Sequence, residues 1–361
     1  MNVVVAMSGG VDSSVAAALL KEKGYQVNGI TMKIWDGEAS STNGTHHGCY
    51  GPGEEEDIED AQKVARILEI PFHVFDLKQE YKAEVLDYFC LEYISGRTPN
   101  PCLRCNHKVK FDALLKKARD SGIEFDYFAT GHYARVEYNK SKHRYLLKKA
   151  RDLKKDQSYF ISSLSQEQLS YSLFPIGNYT KEEIRKMASD FGLGIDDKRE
   201  SQDFIAGGYS SLVEAAQPGP ILDKQGKVLG EHKGIPFYTI GQRKGLGITN
   251  KEPLYVTDIN QDKNAIIVGS KEELYRDELT ASGLNWIAME KLEQPTKVKA
   301  RIRHTHEESE AMVTPLNEDR VHVKFREPQM AITPGQAVVF YHGDVVVGGG
   351  TIERAGEQRD G

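Results

Sequence analysis

The chain opens with an apolar run, a glycine-containing loop and a helical pattern, and this order strongly limits its fold. Val3–Ala6 has the composition of a strand, and residues 8–14 (SGGVDSS) join it to a helical pattern over Val15–Lys23 that Gly24 ends. Two glycines let the backbone approach an oxyanion, hydroxyls donate hydrogen bonds, and the helix N-terminus adds its dipole. The loop therefore predicts a phosphate site. The alternative is an ordinary strand-to-helix turn with Asp12 or Ser13 as N-cap.

The rest of the first half repeats this alternation. Strand-like runs are Val27–Met32, Phe72–Phe75 and Tyr127–Thr130. Helical spacing occurs over Ile58–Leu68, Glu80–Ile94 and Lys108–Ala118, and a loop is expected to carry the pair Cys102 and Cys105. Strands that alternate with helices predict an α/β fold, with a parallel sheet covered on both faces and ligands at the carboxyl ends of the strands.

The pattern changes from about Gly207, where glycine and proline become frequent and helical spacing is scarce. Short runs with strand character follow, separated by turn residues. They are Lys297–Arg303, Glu310–Val313, Arg320–Phe325, Ala337–Tyr341 and Val345–Ile352. This second part predicts a small antiparallel barrel or sandwich, a module often used to bind RNA.

Composition narrows the class of protein. At 361 residues the chain is long for one domain, so two or three are expected. A net charge of −6 argues against indiscriminate nucleic-acid binding but allows local basic patches. No apolar run approaches the roughly 20 residues that span a bilayer. The N-terminus has no signal-peptide pattern, so we expect a cytoplasmic protein with no membrane partner. In that reducing compartment, the Cys102–Cys105 spacing indicates a metal site or catalysis.

Residues 98–106 (TPNPCLRCN) and, shortly after them, residues 108–111 (KVKF) belong to a distinctive set of motifs. The others are the 8–14 loop, Met32, Gly131-His132, residues 155–159 (KDQSY) and residues 241–245 (GQRKG). In this order, from residue 3 to about residue 354, the chain closely resembles the tRNA-specific 2-thiouridylases. The loop itself resembles the pyrophosphatase-type (PP-loop) motif of enzymes that split ATP between its α and β phosphates.

The resemblance implies an enzyme, a tRNA-uridine 2-sulfurtransferase. It would use ATP with Mg²⁺ to adenylate the wobble uridine of tRNA and then replace its oxygen with sulfur. It implies a PP-loop α/β catalytic domain over residues 1–206, a small central domain over residues 207–278 and a C-terminal antiparallel β-barrel that binds tRNA over residues 279–361. The sulfur donor stays open between sulfide, a cysteine desulfurase and a sulfur carrier.

Site residues follow from the same resemblance. It implies ATP contacts at Ala6, Ser8, Gly9, Gly10, Val11, Asp12, Ser13, Met32 and Gly131. It implies tRNA contacts at Asn100, Pro101, Cys102, His132, Lys155, Asp156, Gln157, Arg303, His304 and Gln336. The family usually has Arg-Tyr where this chain has Arg303-His304.

Two departures from the common family pattern concern the catalytic cysteines. The common form has an aspartate after Asn-Pro, where this chain has Cys102, and its attacking cysteine matches Cys105. Its second, persulfide-bearing cysteine falls on Ile205 here, within residues 200–206 (ESQDFIA). A relay that uses that second cysteine is therefore excluded, and Cys102 and Cys105 are the expected catalytic thiols.

Cys49, within residues 46–52 (HHGCYGP), is the additional thiol that this chain offers. If Cys49, Cys102 and Cys105 converge at the mouth of the ATP pocket, they suit a [4Fe–4S] cluster with one open iron. Zinc is an alternative, and would need a fourth ligand such as His46, His47 or His107. A persulfide on Cys102 or Cys105 is another. Cys90 lies on an apolar helical face and reads as a buried, inert thiol.

Two other functions remain open from the sequence. One is a different adenylating PP-loop ligase or amidotransferase that uses ammonia or an amino acid, which leaves the cysteine motif unexplained. The other is a non-catalytic tRNA-binding protein that retains an ATP domain. Basic residues flank the segment that is expected to contact the tRNA and favour contacts with its phosphates. They are also compatible with an ordinary solvent-exposed face of the protein. They are Arg144, Lys148, Lys149, Arg151, Lys154 and Lys155.

Overall fold

The structure is a computed structural model that describes residues 1–37, 48–195, 198, 203–205 and 216–356. The chain divides into two compact units. The first contains residues 1–85, 101–208 and 343–346, and the second contains residues 86–100, 209–342 and 347–361. Among the described residues, no helix is long and apolar enough to cross a membrane.

Helices are concentrated in the first 190 residues. The α-helices are α1 (Val11–Glu22), α2 (Glu54–Ile67), α3 (Lys78–Tyr81), α4 (Asp87–Ile94), α5 (Pro101–Cys105), α6 (Leu114–Asp120), α7 (Gln166–Ser170) and α8 (Lys181–Asp190). Among the described residues, two stretches are π-helical, Lys82–Leu86 and Asn106–Ala113. Single 3₁₀ turns cover Ser158–Ile161, Ile235–Phe237 and Glu272–Leu274.

A five-stranded parallel sheet forms the centre of the first unit. The strands up to residue 205 are β1 (Asn2–Ala6), β2 (Gln26–Lys33), β3 (Gly48–Tyr50), β4 (Phe72–Asp76), β5 (Tyr127–Thr130), β6 (Ala134–Asn139), β7 (Arg144–Lys149), β8 (Ser172–Leu173) and β9 (Asp203–Ile205). The sheet order is β4-β2-β1-β5-β8, so the strand order reverses between β1 and β5. Ligands bind at such a switch point, beyond the carboxyl ends of the strands. The predicted α/β class is confirmed.

The core of this unit forms where small and branched apolar side chains of α1 meet the sheet. Val15, Ala16 and Ala17 are fully buried against Val3 and Val5 of β1. Small alanine side chains let the helix approach the sheet closely, which fixes the loop between β1 and α1 on a rigid support.

The second unit contains two further sheets. Its strands are β10 (Gly219–Leu222), β11 (Val228–His232), β12 (Tyr255–Asn260), β13 (Ala265–Gly269), β14 (Tyr275–Trp286), β15 (Thr296–Arg301), β16 (Ser309–Pro315), β17 (Val321–Met330), β18 (Ala337–His342) and β19 (Val345–Ala355). Strands β10–β13 form a sheet in the order β11-β10-β13-β12. The six strands β14–β19 close into an antiparallel barrel, because β14 pairs with both β17 and β19. The predicted barrel is confirmed.

One local prediction is wrong. The cysteine pair lies on helix α5, which continues into the π-helical stretch, and is not on a loop. Pro101 begins that helix, at the position where a missing N–H costs nothing. The expected helix over residues 80–94 is confirmed, since α3, the π-helical residues 82–86 and α4 follow one another without a break. The β6–β7 hairpin, which carries several of the basic residues, was not expected from the sequence.

Candidate functional site

The glycine loop lies at the switch point, between the end of β1 and the start of α1. Ala6 ends β1, and Gly10 is the N-cap of α1 in an extended conformation. Asp12 and Ser13 therefore lie in the first helical turn, so the alternative in which one of them is the N-cap is wrong. Since glycine has no side chain, no side-chain cap covers the first amides of the helix. They face the end of the sheet as donors for an anion.

Hydroxyl groups fix the shape of the loop. The Ser13 hydroxyl accepts a hydrogen bond from the Ser8 backbone N–H at 3.1 Å and donates to the Gly10 carbonyl at 3.2 Å. The Ser8 and Ser13 hydroxyls are 3.3 Å apart. Ser8 is exposed whereas Ser13 is buried, so one hydroxyl faces solvent and the other supports the turn.

Two glycines allow backbone to pack tightly around the loop. A β-carbon on Gly9, which has a φ of +71°, would lie 2.2 Å from the carbonyl oxygen of Asp57 at the start of α2. A β-carbon on Gly131, just beyond β5, would lie 2.5 Å from the backbone nitrogen of Ser13. Larger residues cannot occupy either position without moving backbone. Met32, near the end of β2, is half-buried at the same edge of the sheet.

Asp12 has two partners from distant parts of the first unit. The Tyr133 hydroxyl donates to Asp12 Oδ1 at 2.8 Å. The Lys181 ammonium donates to Oδ1 at 2.8 Å and to Oδ2 at 2.9 Å. Neither partner was anticipated from the sequence, because both contacts join residues more than a hundred positions apart.

Three of the four cysteines lie within electrostatic reach of one another. Cys49 is exposed on β3, Cys102 is half-buried on α5, and Cys105 is buried at the end of the same helix. Burial, followed by the neighbouring thiols Cys49 and Cys105, raises the pKa of Cys102 to about 12. Burial also raises the pKa of Cys105 to about 11, against the opposing effect of Lys110. These thiols lie on a short strand and a helix and not on the predicted loops, and within the described residues they are not gathered into a group that could hold a metal ion. Their convergence into one ligand set stays a prediction.

Lys110 is the charged residue that sequence reasoning missed at this place. It lies on the π-helical stretch after Cys105, and all three thiols raise the pKa of its ammonium against the opposing effect of burial. Within the described residues this ammonium makes no hydrogen bond and no ion pair. Since no carboxylate among the described residues pairs with the Lys110 ammonium, its positive charge would stabilise the neighbouring thiols in their thiolate form.

His132 connects the thiols with the glycine loop. It follows Gly131, and its Nδ1 lies 2.8 Å from the Thr130 hydroxyl. Burial, helped by the positive charge of Lys110, lowers the pKa of His132 to about 3. The imidazole is therefore neutral at physiological pH and can accept or donate a hydrogen bond without carrying charge.

The fourth cysteine, Cys90, and the possible metal ligands are further residues that bear on this site. Cys90 lies on α4 and is half-buried, so the expectation of a buried thiol is met only in part. In the part of the chain that the structure describes, no group of three or more His, Cys, Asp or Glu residues is gathered as a metal-ion site. His46 and His47, named above as zinc ligands, lie outside the described residues, as do residues 199–202 and 206.

Residues 153–155 form a turn, and residues 156 and 157 follow it and lie against Tyr133. The carboxylate of Asp156 is buried and accepts hydrogen bonds from the Ala150 N–H at 3.0 Å and the Ser158 hydroxyl at 2.9 Å. Gln157 accepts at its side-chain oxygen from the Tyr133 N–H at 2.9 Å. These two side chains shape the turn, whereas Lys155 is half-buried at its edge.

The remaining tRNA-contact candidates lie in the second unit, apart from Pro101 and Cys102 on α5. The Gln336 amide donates to the carbonyl oxygens of Thr98 and Pro99 at 3.0 and 3.1 Å, directly before Asn100. Gln336 thereby fixes the backbone that leads into the cysteine motif. Arg303 donates to the Met330 carbonyl at 2.6 Å, and His304 is exposed beside it.

Sequence comparison identifies the family. Three family descriptions match in order: tRNA methyl transferase HUP domain over residues 1–206, tRNA methyl transferase PRC-barrel domain over residues 210–270 and Aminomethyltransferase beta-barrel domain over residues 276–352. The tRNA-specific 2-thiouridylase MnmA 1 of Caldanaerobacter subterraneus subsp. tengcongensis is 50% identical over 360 residues, 98% of each chain. The chain belongs to the tRNA-specific 2-thiouridylase family. The family member of Moorella thermoacetica is also 50% identical, over 97% of this chain and 99% of its own.

Among solved structures, a 4-thiouridine synthetase in complex with RNA and ATP has a TM-score of 0.31 and 20% identity, over 56% of this chain and 44% of its own. A likeness of this size supports no inference about function.

Within the thiouridylase family pattern, the pairing of β3 with β9 is informative. The strands run parallel, with Gly48 opposite Asp203 and Tyr50 opposite Ile205. Cys49 therefore lies on the strand that pairs with the segment where the common family form carries its second cysteine. The backbone brings a thiol close to that segment although the segment itself has none.

Proposed function

We propose that the protein uses ATP to activate the wobble uridine of tRNA and replaces its C2 oxygen with sulfur. The observation that carries the proposal is that the chain is 50% identical, over 98% of its length, to a tRNA-specific 2-thiouridylase. The same unit contains the glycine loop and helix α5 with Cys102 and Cys105. The Phe111 ring, shortly after Cys105, has its centroid 6.3 Å from that of the His132 ring beyond β5. Thiolation through an adenylated base needs a phosphate site, whereas methyl transfer, which the family descriptions mention, does not.

In this proposal ATP lies along the carboxyl end of the sheet. The amides of residues 9–13 and the Ser8 hydroxyl hold the phosphates of Mg²⁺-bound ATP, and Gly131 leaves room for them. Met32 contacts the adenine. These assignments are supported by the uncapped start of α1 and by the close backbone packing at Gly9 and Gly131.

The chemistry divides into two balanced steps. First, O2 of the uracil forms a bond to the α phosphorus, the bond to the bridging oxygen breaks, and its electron pair leaves on pyrophosphate, while the N3 proton goes to solvent. Second, hydrosulfide adds to C2 and the C–O bond breaks, so that the oxygen leaves with AMP. A carbonyl oxygen is a very poor leaving group, whereas the adenylated oxygen departs as a phosphate. The sum converts uridine, ATP and hydrosulfide into 2-thiouridine, AMP and pyrophosphate.

We propose that Cys49, Cys102 and Cys105 hold a [4Fe–4S] cluster. Three thiols that influence one another electrostatically, beside the positive charge of Lys110, support this soft and anionic group by their chemistry. Within the described residues they do not form a group that could hold a metal ion, so binding the cluster would have to draw them closer together. They fit a single zinc ion less well, since zinc takes four ligands. When bound, such a cluster supplies a Lewis-acidic iron at which sulfide sulfur can be held. Lys110 would balance the negative charge of the thiolates. Burial, followed by the three neighbouring thiols, also raises the pKa of the Tyr81 hydroxyl, which indicates that Tyr81 lies near them.

The tRNA contacts complete the proposal. Asn100 and Pro101 surround the target base, His132 and Lys155 contact the tRNA beside it, and Arg303, His304 and Gln336 bind it from the barrel. Asp156 and Gln157 act by holding their turn, as their internal hydrogen bonds support. The domain division at residues 206 and 278 remains part of the proposal. So does a cytoplasmic location, which suits a chain that depends on reduced thiols.

The test is an anaerobic incubation of the protein with unmodified tRNA, ATP and sulfide, followed by nucleoside mass spectrometry and measurement of pyrophosphate. We expect 2-thiouridine and pyrophosphate in equal amounts. An aminated nucleoside with ammonia in place of sulfide would favour the ligase, and tRNA binding without pyrophosphate would favour a non-catalytic protein. Ser13→Ala should lower pyrophosphate release by about 100-fold. Ser14→Ala, which removes another hydroxyl bonded to the Gly10 carbonyl, is the matched control.

A further inference from the structure

Lys181, the first residue of α8, reaches the glycine loop from a distant part of the sequence. Its ammonium contacts both carboxylate oxygens of Asp12, at 2.8 and 2.9 Å, across 169 positions of the chain. Only 12% of its side chain is exposed, and its nitrogen lies 5.9 Å from the centroid of the Tyr133 ring. A largely dehydrated cation therefore stands at the loop to which we assign the ATP phosphates.

The position of this lysine does not depend on Asp12 alone. The Lys181 backbone N–H donates to Asp152 Oδ2 at 3.1 Å. Thr180 and Glu183 form a reciprocal capping box that fixes the start of α8. The backbone that carries the ammonium is thus held independently of the glycine loop. The side chain can then move between partners without moving its helix.

The charge of Asp12 makes a nearby cation necessary for phosphate binding. A carboxylate in the first turn of α1 interacts well with the helix dipole, but it repels the phosphates that the same turn should bind. An ammonium that contacts both carboxylate oxygens cancels this repulsion. Lysine is also a compact point charge that suits phosphate oxygens.

We propose that Lys181 binds the β- and γ-phosphates of ATP and holds the pyrophosphate as it leaves, sharing its ammonium between Asp12 and the phosphate oxygens. The inference rests on the proposed adenylation of tRNA. In that step the electron pair of the broken bond between the α phosphorus and the bridging oxygen ends on pyrophosphate. The added negative charge develops next to Lys181, so the ammonium stabilises the transition state more than bound ATP.

Lys181→Met tests the role, with Lys181→Arg as the charge-conserving variant. Lys186→Met is the matched control, because Lys186 lies on the same helix, is 79% exposed and pairs only at the surface with Asp190. The probes are AMP, inorganic pyrophosphate with Mg²⁺ and the non-cleavable analogue α,β-methylene-ATP. Their affinities are measured by calorimetry, and pyrophosphate release is measured with ATP and unmodified tRNA.

We expect Lys181→Met to lower the affinities for the ATP analogue and for pyrophosphate by about 10- to 100-fold. The affinity for AMP should stay within about twofold of the parent value. Its pyrophosphate release should fall by about 100-fold or more at saturating ATP. Lys181→Arg should recover most of the affinity for pyrophosphate, and Lys186→Met should match the parent. Equal losses of affinity for AMP and for the ATP analogue would mean that Lys181 only supports the glycine loop, and would overturn the inference. Parent-like affinities in Lys181→Met would overturn it as well.

Different results would contradict the thiouridylase function and the role of Lys181. If the parent releases no pyrophosphate with tRNA, the thiouridylase function fails, while the difference between AMP and pyrophosphate affinities still reports on Lys181. If the parent releases pyrophosphate and Lys181→Met does so equally well, the function stands and the role of Lys181 is wrong.

Discussion

The carbonyl oxygen of Asp57 occupies the space that a side chain on Gly9 would need, because a β-carbon there would lie only 2.2 Å from it. The side chain of Asp57 is in turn fixed by Lys198, whose ammonium donates to Asp57 at 2.7 Å and to Asp60 at 2.6 Å. Lys198 precedes β9 in the chain. The start of α2 is therefore held between the glycine loop and the segment that pairs with the strand of Cys49.

Gly9→Ala should abolish ATP binding, since the loop must move away from Asp57 to admit a methyl group. Gly24→Ala is its control, because Gly24 also has a positive φ, +81°, but has open space around it. Both variants should lose about 1 kcal/mol of stability from the left-handed backbone. Only Gly9→Ala should lose more than that and lose affinity for ATP, as calorimetry and thermal unfolding can measure. Normal ATP affinity in Gly9→Ala would contradict the loop assignment.

The depressed pKa of His132, about 3 against an ordinary 6.5, makes the stability of the first unit depend on pH. Between these pH values His132 binds a proton in the unfolded chain but not in the folded protein. The free energy of unfolding should therefore fall as pH falls from 6.5 toward 3. The slope due to one such group approaches about 1.4 kcal/mol per pH unit.

Urea unfolding at pH 4.5, 5.5 and 6.5 measures this slope. In a Trp286→Phe background, Trp35 is the remaining tryptophan and its fluorescence follows the first unit. His132→Gln should flatten the pH dependence by up to one proton, while His342→Gln, which replaces an exposed histidine, should not. An unchanged slope in His132→Gln would mean that burial of the imidazole is not what lowers its pKa.

Lys155→Ala and Arg303→Ala should each weaken tRNA binding about fivefold to tenfold and reduce its salt dependence. Each lost phosphate contact removes about 0.7–0.9 units from the slope of log affinity against log salt. Arg326→Ala, which removes an exposed arginine paired with Glu310, is the control. If both test variants keep the parent slope, the tRNA phosphates lie elsewhere.

Local patterns were sufficient to predict the sheet and the loop. Val3–Ala6, the glycines of residues 8–14 and the helical spacing after them are short-range features, and each element formed within a few residues of its predicted bounds. The barrel was also predictable, since its strands alternate apolar and polar residues, as in Thr296–Arg301, or run apolar, as in Ala337–His342. The cysteine helix was missed although Pro101 is a common first helical residue.

Contacts between distant residues could not be predicted in the same way. Lys110 lies within the KVKF string of residues 108–111, but nothing in the sequence gives this lysine a role. It lies on a π-helical stretch, which periodicity does not reveal, and its electrostatic effect on three thiols appears only in the fold. Lys181 looks like the first residue of an ordinary capped helix, and only the packing of α8 on α1 brings it to Asp12. The pairing of β3 with β9, which brings Cys49 close to Ile205, is likewise a property of the fold.

The central claim is that Cys49, Cys102 and Cys105 act as one sulfur-handling centre and that Cys90 does not belong to it. The most direct measurement compares Cys→Ala variants of all four, reconstituted anaerobically with iron and sulfide, for iron content and for 2-thiouridine formed from unmodified tRNA with ATP and sulfide. We predict that the variants at Cys49, Cys102 and Cys105 each lose bound iron and thiolation, whereas Cys90→Ala keeps both. Full thiolation by metal-free protein, or thiolation that survives Cys49→Ala, would contradict the account and leave hydrosulfide to attack the adenylated uridine without a cluster.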